Sequence, residues 1–149
     1  MSTIAENKEA HHKYLVEETL EAGVVLTGHE VKSARKGTVS LKGAYATLKG
    51  EEVYLVNAHI GSFQPGNAPE GYDPTRSRKL LLHTAEIKKI IGKNKAQGLT
   101  MVPLKFYASR GKIKIQIGIA RTKSKADKRE SLKKQEANRE IARAMRIKE

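Results

Sequence analysis

The sequence predicts a mainly β fold, a small closed antiparallel barrel or sandwich carrying a basic C-terminal tail. Three observations point there. Apolar and polar residues alternate with period two along several short segments, Gly-containing turns separate those segments, and the composition changes abruptly at Ala120. Residues 1–120 hold every Gly, Pro, Phe and Tyr of the 149-residue chain, whereas residues 121–149 hold none. The last 29 residues carry 11 Lys and Arg against 5 Asp and Glu, a net +6, compared with +7 for everything before them. The body has the apolar residues to build a core; the tail has little to bury.

In chain order, Tyr14 to Leu26 reads as a long first strand, with a bend or bulge expected at Ala22-Gly23 because glycine inside a strand pattern usually marks one. Glu30 to Lys36 reads as a short helix ended by Gly37. Ala44 to Leu48 and Glu52 to Ala58 form a hairpin about Lys49-Gly50-Glu51. The loop Gly61 to Arg78 holds three of the four prolines. Thr84 to Gln97 reads as a helix with Thr84 as cap, Glu86 in its first turn, Ile87, Ile90 and Ile91 on its apolar side and Gly98 as its stop. Leu99 to Ala108 and Lys112 to Ala120 form a second hairpin about Ser109-Arg110-Gly111. Its last strand is the clearest of all, since Ile113, Ile115, Ile117 and Ile119 alternate with Lys112, Lys114, Gln116 and Gly118. The tail, Arg121 to Glu149, lacks Gly and Pro and permits a helix with a narrow apolar stripe of Ala137, Ile141, Ala144 and Met145. It is expected to be disordered when free and helical when bound to a polyanion.

The charge narrows the function. Twenty-nine Lys and Arg against sixteen Asp and Glu leave +13, which makes a polyanion the expected partner, because neutralised phosphates release condensed counterions. The absence of cysteine removes disulfides, thiolate metal sites and cysteine nucleophiles. No apolar run approaches the roughly 18 residues of a membrane span, and the polar segment from Met1 to His12 does not read as a signal peptide, so a cytoplasmic location is expected. No phosphate-loop, dinucleotide or H-E-x-x-H motif occurs. Of the five histidines only His11 and His12 are adjacent, and on a strand their side chains would point to opposite faces. Neither an enzyme nor a cofactor nor a metal is expected.

Two basic segments stand out. Asp73-Pro74-Thr75-Arg76-Ser77-Arg78-Lys79-Leu80-Leu81-Leu82 leads from a turn through Arg76, Arg78 and Lys79 into an apolar triplet, and such cations leaving a loop are suited to phosphate contacts. Lys32, Arg35 and Lys36 occupy neighbouring positions on the short helix. With aromatics at only 5 % of residues, backbone and shape reading of RNA should exceed base stacking by Tyr14, Tyr45, Tyr54, Tyr72 and Tyr107.

These segments, with Asn7-Lys8-Glu9-Ala10-His11-His12-Lys13-Tyr14, Glu21-Ala22-Gly23-Val24-Val25-Leu26, Glu30-Val31-Lys32-Ser33, Leu99-Thr100-Met101-Val102-Pro103-Leu104 and Asp127-Lys128-Arg129, resemble in order the SmpB (small protein B, tmRNA-binding) family. The resemblance implies an OB-fold barrel with two or three peripheral helices and no catalysed reaction. It implies binding to the tRNA-like domain of tmRNA, delivery with elongation factor Tu through alanyl-tmRNA, and entry into stalled ribosomes as a monomer with no membrane partner. The tail would occupy the empty mRNA path at the decoding centre. The family's RNA-binding residues fall on Glu21, Leu81 and Lys114, with His12, Tyr14, Lys32, Arg35, Arg76, Arg78 and Lys79 in support. The tail residues assigned to the ribosome are Lys123, Lys125, Asp127, Lys128, Arg129, Lys133, Lys134, Arg139, Arg143 and Met145. The chain departs from the family pattern at Thr122-Lys123-Ser124, where Gly-Lys-Lys is usual, and at Ala126, where an aromatic residue or His is common. The rival from another class is a structural rRNA-binding ribosomal or assembly protein.

Overall fold

A computed structural model describes residues 2–62, 70–97, 99–123 and 125–148. Its elements are β1 (Ser2–Glu6), α1 (Ala10–Lys13), β2 (Tyr14–Val24), α2 (Gly28–Arg35), β3 (Val39–Ser40), β4 (Tyr45–Lys49), β5 (Glu52–Val56), β6 (His59–Ile60), β7 (Arg78–Leu81), α3 (Thr84–Gln97), β8 (Thr100–Ser109), β9 (Lys112–Thr122) and α4 (Lys125–Lys148). The isoleucines of β9 are buried and form the spine of the main core with Phe106, Val53, Leu55 and Leu80. The β8–β9 hairpin turns at Arg110 and Gly111, both with positive φ (51° and 76°), as a two-residue turn matching the strands' twist requires. The β4–β5 hairpin turns at Gly50, φ 67°.

Seven strands form one antiparallel sheet in the order β1-β8-β9-β2-β7-β5-β4, and β3 pairs with β6 apart from it. The closed barrel expected from the sequence is not formed. β1 takes the edge of β8 from Lys105 to Ala108, and β4 faces the beginning of β8 across a cleft lined by Ala46, Thr47, Leu48, Thr100 and Met101. The sheet is therefore open.

β1, α1, β3, β6 and β7 were not foreseen as elements, and His11 and His12 lie on α1, a helix, not on a strand. Helix α3 begins at Thr84, so Thr84 is its first helical residue and not its cap. The Glu86 carboxylate instead accepts the His83 N–H at 3.0 Å. Gly98 and residues 63–69 of the proline-rich loop lie outside the described residues. β9 runs to Thr122, two residues beyond the compositional break, because Arg121 and Thr122 still pair with Leu15 and Tyr14.

The bulge expected at Ala22-Gly23 is absent, since Ala22 pairs regularly with Ile115 and Gly23 with Lys114. The irregularity falls instead between Val16 and Glu18. One extra residue inverts the alternation of a strand. Tyr14 and Val16 consequently share a face with Glu21 and Gly23, opposite the isoleucines. At the Tyr14 end that face is covered by a second small core of Ala10, Val102, Leu104 and Ala120. Gly118 makes room for this core, because a Cβ would lie 3.1 Å from both Leu104 Cδ1 and Val16 Cγ1. The other end of the face is left open.

α4 is helical, with Leu132, Ile141 and Met145 exposed and in neither core. Among the described residues no helix is long and apolar enough to cross a membrane.

Candidate nucleic-acid interface

The open end of the outer face is set by register. Tyr107 pairs with Lys114, Lys114 with Gly23, and Gly23 with Leu81, so these four residues form one row across β8, β9, β2 and β7. Directly opposed residues in antiparallel strands point the same way. Glu21 stands two residues from Gly23 on the same face and pairs with Gln116. Its carboxylate is held from two sides: Lys114 Nζ donates to Oε1 at 2.6 Å, and the Tyr107 hydroxyl donates to Oε2. These two hydrogen bonds, Lys114's first, hold the Glu21 carboxyl below its ordinary range. Burial and the Glu21 carboxylate together push the Tyr107 hydroxyl upward. Glu21 therefore fixes the position of the Lys114 ammonium. Tyr107 is 4 % exposed, so it braces the pair from beneath. Leu81 is 54 % exposed, an apolar side chain projecting from the row into solvent.

Beside the row lies a groove of about 370 Å³ lined by Gly23, Leu26, Val31, Leu81, Lys112 and Lys114 among others. α2 forms its far wall. The helix starts with a reciprocal cap, in which Glu30 N–H donates to Thr27 Oγ1 (3.2 Å) and Thr27 N–H to Glu30 Oε1 (3.0 Å). It presents Lys32 and Arg35 outward, and Arg35 Nη2 donates to the Gly111 carbonyl at 2.9 Å, tying the helix to the β8–β9 turn.

The structure corrects one cation. Arg78 is 0 % exposed, and its guanidinium has no N–H left for a phosphate. Nε donates to Glu30 Oε2 (2.8 Å), Nη1 to the carbonyls of Ala58 (2.7 Å) and Arg76 (3.2 Å), and Nη2 to the Pro74 carbonyl (2.9 Å) and Tyr72 hydroxyl (3.4 Å). The reason is strand parity: with Leu81 and Lys79 outward on β7, Leu80 and Arg78 must point inward. Arg76 also turns toward Glu30, donating through Nε at 3.1 Å and through Nη2. It is half-buried. Burial would raise the Glu30 carboxyl, but hydrogen bonds from Arg76, the Thr27 N–H and Arg78 outweigh it and hold the group at about 2. Lys79 is exposed and ion-paired with Glu52 at 3.0 Å.

Other assigned residues lie elsewhere. Tyr14 stands at the far end of β2, about 20 Å from Glu21 at a strand's rise per residue, with exposed His12 beside it on α1. Lys123 is tied to α1, its N–H donating to the Lys13 carbonyl (2.9 Å) and its Nζ to the His11 carbonyl (2.6 Å). Arg129, Lys133, Lys134, Arg139, Arg143 and Met145 are exposed along α4. Lys125, Asp127 and Lys128 lie in the same helix, their side chains outside the described residues. The sequence reading missed two members of the arrangement. Glu30 was legible as the fourth residue of a Thr-x-x-Glu capping box. Tyr107 gave no local signal, because only cross-strand register brings it to Glu21.

The SmpB protein family model matches residues 4–147. The chain belongs to the SmpB family. It is 53 % identical over 143 residues to an SsrA-binding protein of Geobacillus kaustophilus, covering 96 % of this chain and 92 % of that one. It is 52 % identical to an SsrA-binding protein of Syntrophotalea carbinolica, with 96 % and 95 % covered. Among solved structures it resembles a chain from "tmRNA-SmpB: a journey to the center of the bacterial ribosome", with a TM-score of 0.65 and 43 % identity over 85 % of this chain and 92 % of that one. The SmpB resemblance read from the ordered blocks thus extends through nearly the whole chain.

Proposed function

We propose that this chain is the tmRNA-binding protein of trans-translation, a non-catalytic RNA-binding protein that brings the tRNA-like domain of tmRNA to stalled ribosomes. The observation that carries the reading is the row of Lys114, Gly23 and Leu81, with Glu21 bracing Lys114, on the open face of a chain of the SmpB family. Lys114 contacts phosphate, Leu81 packs on a sugar or base, and Glu21 aims the lysine. Arg35 and Lys32 extend the positive surface along α2. The tail beyond Lys123 acts as a separate unit, disordered when free and helical in the vacant mRNA path, with Arg129, Lys133, Lys134, Arg139 and Arg143 facing ribosomal RNA. Arg121, Thr122 and Lys123 stay with the body, held by β9 pairing and by α1. Delivery proceeds through alanyl-tmRNA with elongation factor Tu, in the cytoplasm. We read the curled open sheet as a relative of the OB architecture.

Crosslinking the protein to RNA in cells, recovering it and sequencing the bound RNA tests this function. The tRNA-like domain of tmRNA should dominate the recovered sequences through the body. Enrichment of rRNA alone, with tmRNA at background, would favour the structural rRNA-binding role and overturn the proposal.

A further inference from the structure

Gly23 has no reason to be glycine that the fold supplies. Its φ is not in the left-handed region, its pairing with Lys114 and Leu81 is regular, and a Cβ built there meets only Leu81 side-chain atoms at 3.4, 3.6 and 3.9 Å, ordinary contact distances. Gly118, two pairs along the same ladder from Gln116, shows the contrast, since its missing Cβ is filled by Leu104 and Val16. Glycine inside a strand weakens it relative to alanine. It recurs where a ligand must approach the backbone closely.

What surrounds Gly23 says what approaches. It lies between a cation on one side and an exposed leucine on the other, at the mouth of the groove of about 370 Å³. Leu26, Val31 and Leu81 make the lining apolar, and Lys112 and Lys114 stand on its rim. Glu21 takes up one N–H donor of Lys114, and an ammonium has three, so the lysine keeps others for phosphate. An apolar floor with cations on one rim matches the chemistry of a nucleotide: sugar and base against the floor, phosphate at the rim. A paired base would keep its edges inside its helix, so the occupant is an unpaired one.

We propose that the groove seats a single unpaired nucleotide of the bound RNA, with Gly23 at its mouth letting the sugar approach the β2 backbone. This rests on the outer face being the RNA side.

Titrating Gly23→Ala and Gly23→Val with the isolated tRNA-like domain of tmRNA, in the full chain with folding checked by circular dichroism, tests it. Both substitutions suit a strand, and valine favours one. Affinity should fall in steps with side-chain size, by roughly tenfold or more for valine, the scale on which a filled apolar subsite discriminates. The dependence of log K on log salt should keep its slope, because no cation is lost. Repeating the series in a Leu81→Ala background separates two causes. If Gly23 only makes room for Leu81, the valine penalty disappears there; if RNA approaches Gly23 itself, the penalty persists. A folded Gly23→Val protein with unchanged affinity, or a penalty that vanishes in Leu81→Ala, would overturn the proposal. Should Gly23→Val misfold, the same comparison on Gly23→Ala decides. Lys114→Ala serves as the separate control: if it also leaves binding unchanged, the face assignment fails, and if it weakens binding while the Gly23 variants do not, only the nucleotide subsite fails.

Discussion

Replacing Glu30 by glutamine should destabilise the protein severely without touching the RNA-binding row. Glu30 and Arg78 are both 0 % exposed, and Arg76 completes the cluster at its edge. Glutamine preserves the shape and an oxygen for the Thr27 N–H, but it leaves Arg78 as a buried charge without a counter-charge. Truncating one partner of such a pair typically costs about 3–5 kcal/mol. The carboxyl's own titration gives an independent figure. Burial pushes it up, yet Arg76, the Thr27 N–H and Arg78 hold it at about 2 against an ordinary 4.5, which is worth about 3 kcal/mol of folding stability at neutral pH. The sign follows from the direction: a depressed carboxyl contributes fully above 4.5 and loses its contribution as pH falls toward about 2. With a urea m-value of about 1.5 kcal/mol/M, a loss of 3 kcal/mol lowers the unfolding midpoint by about 2 M. Urea titrations followed by circular dichroism at neutral pH and through the acid range measure both effects. The wild type should lose stability between pH 4.5 and 2 more steeply than the variant. A midpoint change equivalent to less than about 1 kcal/mol would refute the assignment of this cluster as the clamp joining α2 to β7.

Four further outcomes follow from the same geometry. Gly118→Ala should cost about 1–3 kcal/mol by thermal or urea unfolding, because its Cβ would sit 3.1 Å from Leu104 and Val16; full stability would show that the second core yields freely. Lys114→Ala should weaken binding to the tRNA-like domain and reduce the slope of log K against log salt by about 0.7–0.9, whereas Leu81→Ala should weaken binding at constant slope. Truncation after Lys123 keeps all of β9 and its ties to α1, so the shortened protein should fold and bind tmRNA yet fail to support peptide tagging in a reconstituted reaction. Amide order parameters in the RNA-free protein should fall below about 0.6 across α4, and body-like values there would argue for a docked helix.

Much of this was readable in the amino-acid order because it depends on local periodicity. The four isoleucines of β9 announce a buried face, and that pattern already sends Lys114 to the opposite side. Arg110-Gly111 and Gly50 mark the hairpins because a short turn needs left-handed backbone there, and Thr27-x-x-Glu30 marks the start of α2. The +13 charge and the basic tail point to a polyanion without any structure. What the tertiary structure alone decided is parity and partnership. Arg76, Arg78 and Lys79 look alike in a list of cations, but Leu81's outward direction sends Arg78 into the core and Lys79 to the surface. The bulge near Glu17, in place of the one anticipated at Gly23, inverts β2 so that Tyr14 and Glu21 share a face. β1 pairs with β8 and keeps the sheet open, although its sequence is polar and its alternation weak. Period-two alternation records that a strand has two faces; which face meets the core, and which edge finds a partner, is settled by contacts between residues as distant as Glu21 and Lys114, a free energy summed over the whole sheet.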